Sequence, residues 1–323
     1  MTATATATPD VRRWRAEQSP VARFVSWLLA PAPAARLAML RILVGGYATV
    51  WAAVRLPAHL RHADQAADRW QPVGVLAPLG APLPDAAIVV LAVTAPLLGL
   101  LFVVGWRYQI VGPLFAAAML LLATLDSSWG QVFHTENLVV LHLLILAVAP
   151  AADALAIGGR KAAAHGDEVD GRYGWPVRLA AVVVVIAYVL AGIAKLRIGA
   201  ADWLDGDTLR HLVAHDNLRK ALLGDTYSPI GTRLVGQAWL FLPLAEPSLV
   251  VELGAWTGLA GGHRRTAWVA AAWLFHVGVL ALMAILFPYQ LSGVAFAPFF
   301  PLERITAAGR MGRRAVGAGA VRT

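Results

Sequence analysis

The sequence predicts an all-α, polytopic integral membrane protein, a helical bundle of about eight transmembrane helices with both termini cytoplasmic. Three observations carry that expectation. Charged residues make up only 14% of the 323-residue chain while hydrophobic residues reach 59%, whereas a soluble protein carries roughly 25% charged residues. The apolar residues gather in runs that approach the ~20 residues needed to cross about 30 Å of hydrocarbon. Basic residues, finally, cluster between alternate runs, the asymmetry that orients membrane helices.

The elements follow in order. The N-terminal stretch MTATATATPDVRRWRAEQ is polar and then basic, without the apolar core or cleavage site of a signal peptide, so residues 1–19 read as a disordered cytoplasmic tail. Residues 20–30, PVARFVSWLLA, predict an interfacial helix with Phe24 and Trp27 among the headgroups. Apolar runs come at 37–54, 85–104, 109–125, 136–152, 177–195, 248–262, 266–287 and 289–302. Residues 232–246 are too short and broken to cross and predict an interfacial or re-entrant piece. The membrane domain thus spans 20–303, with a basic cytoplasmic tail over 304–323.

Arg12, Arg13, Arg15 and Arg23 precede the first run, Arg107 separates the second and third, and Arg160 and Lys161 follow the fourth. Arg264 and Arg265 separate the sixth and seventh, and Arg304, Arg310, Arg313 and Arg314 follow the eighth. These are alternate loops, while the opposing short loops 126–135 and 288–290 contain no Lys or Arg. The expected location is the cell membrane, multi-pass, with the lipid bilayer as first partner.

Composition excludes several functions. There is no cysteine, which removes disulfides, thiolate catalysis and a dithiol shuttle. The net charge of +8 is dispersed between apolar runs, so nucleic acid is not an expected partner. No phosphate-cradling glycine loop, His-Glu-x-x-His or nucleophile elbow occurs. No covalently bound cofactor is expected and no metal site is assigned. In particular HLRHADQAAD, with His59, His62, Asp64 and Asp68, lacks firm ligand spacing and reads as a solvated amphipathic helix.

Lys195 is the leading candidate for chemistry. It is one of three lysines beside twenty-four arginines, the others being Lys161 and Lys220 in expected charged loops. Where charge alone is needed this chain uses Arg, which keeps its proton, whereas a desolvated Lys can act as a base. The fifth run starts near Pro176 on the cytoplasmic side, so Lys195 lies about 29 Å later, at the outer boundary. Snorkelling to anchor a helix end is the competing explanation.

Tyr188, Gly192 and Lys195 fall at i, i+4 and i+7 on one helix face. Asp126, His134 and Glu136 flank the outer turn after the third run, and Glu252 enters the sixth run from the outside, so a shared pocket with Lys195 is expected. Asp202, Asp205 and Asp207 are possible lysine partners, and Trp203 belongs at the interface. His276, in the middle of the seventh run, must bond to protein or ligand. His142 is read as structural, and Arg41 as snorkelling back to the cytoplasmic face.

These pieces resemble the vitamin K-dependent gamma-carboxylase family and its broad relatives with an HTTM (horizontally transferred transmembrane) domain, over about residues 22–303. The most specific part is Tyr188-Val-Leu-Ala-Gly-Ile-Ala-Lys195-Leu followed by Ala201-Asp202-Trp203-Leu-Asp-Gly206. Weaker matches are Leu40-Arg41-Ile42, Gly105-Trp-Arg107-Tyr108, Leu125-Asp126-Ser-Ser-Trp129, Phe275-His276 and Ala297-Pro298-Phe299-Phe300. The resemblance implies Lys195 as a base that deprotonates a reduced quinone co-substrate, and His276 as a group that helps bind or stabilise the quinone-derived species. It also brings His134 to the catalytic set, although His134 stands two positions later than the histidine of the family's Asn-His pair. Tyr188, Trp203, Asp126, Trp129, Glu252 and Asp202 complete the set as substrate-binding residues. The carboxylase also has a large extracytoplasmic domain that grips protein substrates, and no counterpart occurs in these 323 residues. The expectation is therefore a hydroquinone- or lipid-linked enzyme rather than a protein glutamate carboxylase. The alternative is a non-catalytic membrane partner that matures, exports or binds a peptide or lipid.

Overall fold

The computed structural model describes residues 19–157 and 167–305. The expected tails, apart from residues 19, 304 and 305, and the loop residues Arg160 and Lys161 lie outside the described residues. Ser19 caps α1 (Pro20–Leu28) by accepting the Ala22 N–H at 3.2 Å, and Pro20 opens its first turn. No side chain of α1 is buried, as an interfacial helix requires, and Phe24 meets Trp27 with ring centres 5.7 Å apart. After β1 (Ala32–Pro33) come α2 (Ala34–Leu60), α3 (Asp85–Val104), α4 (Tyr108–Asp126) and α5 (Asn137–Ala147). Next are β2 (Val169–Asp170), which pairs antiparallel with β1, and α6 (Gly171–Leu204), kinked at Gly199. The described chain continues through α7 (Asp207–Leu222), α8 (Pro229–Leu234), α9 (Leu242–Leu253), α10 (Gly262–Met283) and α11 (Pro288–Leu291).

The fold is thus essentially all-α, and five helices among the described residues are long and apolar enough to cross a membrane: α2, α3, α4, α6 and α10. The other three expected spans take different forms. The run 136–152 contains α5, only 11 residues long, followed by turns. The run 248–262 begins inside α9, which starts earlier, at Leu242, so part of the expected re-entrant piece belongs to a helix. Gly254, Gly258 and Gly261 then end it in a 3-10 segment, Ala255–Ala260. The run 289–302 is the four-residue α11 and a second 3-10 segment, Val294–Phe299, interrupted by Gly293 and Pro298. The last of these runs is apolar because it is core: Tyr289, Phe296 and Phe299 are buried against α2, α6 and α10. Hydropathy does not distinguish a buried irregular segment from a lipid-facing helix.

Irregular backbone at membrane depth needs donors for its carbonyls, and Arg41 supplies them. Contrary to the snorkelling expectation, Arg41 is completely buried. Its guanidinium donates to the carbonyls of Ala151 at 2.8 Å, Leu155 at 2.6 Å and Val103 at 3.2 Å. It therefore ties the turns after α5 to the end of α3. Gly105, with φ +74°, closes α3 beside it; a Cβ there would lie 2.8 Å from Arg41 Nη1.

Arg36 forms a two-pronged pair with Glu303, and Arg178 donates to the carbonyls of Ala30 and Pro31. The starts of α2 and α6, the end of α3 and Glu303 accordingly share one end of the bundle. The C-terminal ends of α2, α4 and α6, including Lys195, occupy the other.

Candidate functional site

Gly192 brings α6 and α9 together. A Cβ on it would lie 2.8 Å from Leu253 Cδ2 and 3.1 Å from Glu252 Cβ, so the helices meet as small residues allow in membranes. One turn along α6, Lys195 Nζ reaches Glu252 Oε1 at 2.8 Å and Ser248 Oγ at 3.5 Å. Two aromatic faces complete the cage, Trp203 at 4.5 Å and Phe275 at 5.2 Å from the nitrogen. The lysine partner is thus Glu252 rather than Asp202, Asp205 or Asp207. Asp202 is exposed, and Asp205 instead accepts the Asp207 N–H at 2.9 Å in the turn at Gly206.

Lys195 and Glu252 line a cavity of about 760 Å³ between α5, α6, α7, α9, α10 and the start of α11. Its walls are mainly apolar, and Leu141, Leu212, Leu244 and Leu274 line it while remaining exposed. The size falls within the range of small-molecule sites, ~300–1,000 Å³. Of the sequence candidates, Lys195, His276, His134, Tyr188, Trp203 and Glu252 all line it.

His276 is buried, and its Nε2 lies 2.6 Å from the Tyr188 hydroxyl. With Tyr188 donating, the imidazole proton sits on Nδ1, which has no hydrogen-bond partner. Glu252 Oε2, Gln290 Oε1 and Trp203 Nε1 are also buried without partners, and all four residues line the cavity. Unsatisfied buried polar atoms are uncommon, so four of them on residues lining one apolar cavity suit a largely apolar ligand that carries polar groups.

Asp126 and Trp129 are not brought to this cavity. Asp126 closes a separate cluster with Arg55, His59 and His62, and Trp129 stacks on His62. The expected solvated helix at 59–68 does not form: α2 ends at Leu60, a 3-10 turn covers Arg61–Asp64, and His59 is fully buried. Lys220, expected in a loop, is buried in α7 and bonds to Asp216 and the Met283 carbonyl. His142 is held by the Tyr289 hydroxyl at 2.6 Å and the Ala180 carbonyl at 3.1 Å.

Sequence reasoning did not assign Ser248, Phe275 as a cage wall, or Gln290 to the site. Gln290, a lone amide inside FPYQLSG, had a usable signal, because polar groups in apolar runs tend to be functional. Phe275 had none, since a cation–π partner is defined by helix packing alone.

The family model described as the HTTM domain matches residues 29–302, most of the chain. No curated protein and no solved structure matches it. A membrane bundle of apolar helices with that match over most of its length makes the chain a member of the HTTM domain family.

Proposed function

We propose that this HTTM protein is an enzyme for a lipid-soluble substrate bearing an acidic hydroxyl, a reduced quinone being the test case, with Lys195 as general base. The observation that carries the reading is the Lys195–Glu252 pair on the wall of an apolar cavity, with Glu252 Oε2 left without a partner. Glu252 Oε1, 2.8 Å from the lysine nitrogen, is placed to accept a proton from it. Lys195 can then pass a proton to Glu252, and its free amine takes the hydroxyl proton of the substrate. The substrate O–H bond breaks, an N–H bond forms, and the ammonium remains beside the new oxyanion. His276, oriented by Tyr188, would donate from Nδ1 to that oxyanion. The family resemblance to the gamma-carboxylase supports the same roles.

The same reading has the chain pass eight times through the cell membrane, three passes being made of short or irregular segments, with both termini cytoplasmic. The alternation of basic loops supports that orientation, and the Arg36–Glu303 contact supports a common end for the first and last passes. The cavity then lies toward the outer face.

The experiment is oxygen consumption by purified protein in lipid nanodiscs supplied with reduced naphthoquinones. Turnover by the wild type, lost in Lys195→Arg, supports the enzyme. No turnover with any reduced quinone, or full turnover in Lys195→Arg, overturns it.

One observation favours a second reading, a non-catalytic site for a peptide or lipid. The amine is already surrounded by Glu252, Ser248, Trp203 and Phe275, as a fixed cation would be. In that case Lys195→Arg behaves as wild type in every binding assay.

A further inference from the structure

The cluster at the far end of α2 and α4 has a geometry that the lysine site does not use. His59, in the last turn of α2, and His62, three residues on, face Asp126, the final residue of α4. His59 Nδ1 lies 3.1 Å and His62 Nε2 2.7 Å from the same carboxylate oxygen, Oδ1, and one atom from each residue falls within 4.8 Å of the other two. None of the three residues lines the Lys195 cavity.

We propose that His59 Nδ1, His62 Nε2 and Asp126 Oδ1 form a three-ligand site for a divalent ion of the zinc class. Bonds of about 2.0–2.1 Å in a tetrahedron put ligand atoms roughly 3.3 Å apart, so the two nitrogen–oxygen distances, 3.1 and 2.7 Å, need to open by only a few tenths of an ångström. Two imidazoles with one carboxylate select zinc-like ions over calcium or magnesium, which prefer all-oxygen sites.

The surroundings orient the carboxylate and flank both rings, while the outer ring nitrogens, His59 Nε2 and His62 Nδ1, are buried without hydrogen-bond partners. Arg55 Nη2 holds the second carboxylate oxygen, Oδ2, at 3.2 Å, which orients Oδ1 toward the imidazoles and offsets its charge. Trp129 stacks on the His62 ring with planes 4° apart, and Trp51 packs on His59 with ring centres 5.2 Å apart. Trp70 closes over Trp129. His59 and Asp126 are buried, while His62 keeps 12% of its side chain exposed, so an ion has a route in. Three protein ligands leave a fourth position for water. The ion would also clamp the end of the first long helix to the end of the third.

The test uses tag-free full-length protein in detergent, stripped with a chelator and titrated with Zn²⁺, the bound ion being counted after desalting. Co²⁺ is used in parallel as an optical probe. We expect one ion per chain, the intense visible Co²⁺ absorption of a four-coordinate site, and at least tenfold weaker binding in His62→Gln. Asp126→Asn should lose binding too, but it removes a buried charge; His62→Gln, at the cluster's exposed edge, is the decisive variant if Asp126→Asn does not fold. Lys195→Ala should bind the ion like the wild type. Failure of the stripped wild type to take up stoichiometric Zn²⁺, or a folded His62→Gln with wild-type affinity and Co²⁺ spectrum, overturns the proposal.

Discussion

Glu252 approaches Lys195 from a different helix, and its Oε1 lies 2.8 Å from the lysine nitrogen while its side chain is only 4% exposed. The pair spans α6 and α9 at the point where Gly192 lets the two backbones close up. Contact, burial and cavity wall are therefore one feature, and a change in any of them should be felt in the others.

Glu252→Gln leaves the Lys195 ammonium without its counter-charge in a largely apolar setting. Breaking one half of a buried ion pair costs about 3–5 kcal/mol, so a clear fall in the detergent melting temperature is expected. The double variant Glu252→Gln with Lys195→Met should recover much of that loss, because no unpaired charge is left. A double variant as unstable as the single one would mean that packing, not charge, governs the pair.

Gly192→Val places branched methyl groups where Leu253 Cδ2 is 2.8 Å from even a bare Cβ. Overpacking of this kind costs about 1–3 kcal/mol, and separation of α9 from α6 should also abolish whatever ligand binding the cavity supports. Isothermal titration alongside thermal melting checks both; unchanged binding would detach the helix contact from the site.

Arg41→Met removes the donors for the carbonyls of Ala151, Leu155 and Val103. Each buried acceptor left without a donor costs about 1–3 kcal/mol, and the expected outcome is loss of folded protein on size-exclusion chromatography. Arg41→Lys should rescue poorly, since a single ammonium does not span three carbonyls as the planar guanidinium does.

Glu303 accepts from Arg36 Nε at 2.8 Å and Nη2 at 2.6 Å, and these bonds hold its carboxyl below the usual range. A carboxyl with a depressed folded-state pKa contributes stability that is present above the unfolded value of about 4.3 and lost as pH falls through the folded one. The melting-temperature gap between wild type and Glu303→Gln should therefore be constant near neutrality and shrink below about pH 4. A gap that persists unchanged in acid would refute the assignment.

Much of the lysine site is legible in the sequence. The i, i+4, i+7 face of Tyr188, Gly192 and Lys195 follows from helix period alone, and each of the three makes a cross-helix contact, with His276, Leu253 and Glu252. The choice of Glu252 over the nearer aspartates was not readable, because it depends on where α9 begins and on how closely it packs at Gly192. The Asp126 cluster was likewise hidden: its histidines stand 64 and 67 positions before the aspartate and are joined to it by the packing of α2 and α4.

By itself the sequence determined that the chain enters a membrane as an α-helical bundle and that a scarce lysine ends one of its long apolar runs. Those are consequences of hydration and helical period, which act on each segment separately. Only the tertiary structure decided which apolar runs become long helices and which become buried turns, because the two differ in their neighbours and not in their hydropathy. It also decided which acid meets the lysine and which meets the histidines. Charge pairs across helices are specified by backbone approach, and that is set at positions such as Gly192 and Gly105 by the side chains of other elements.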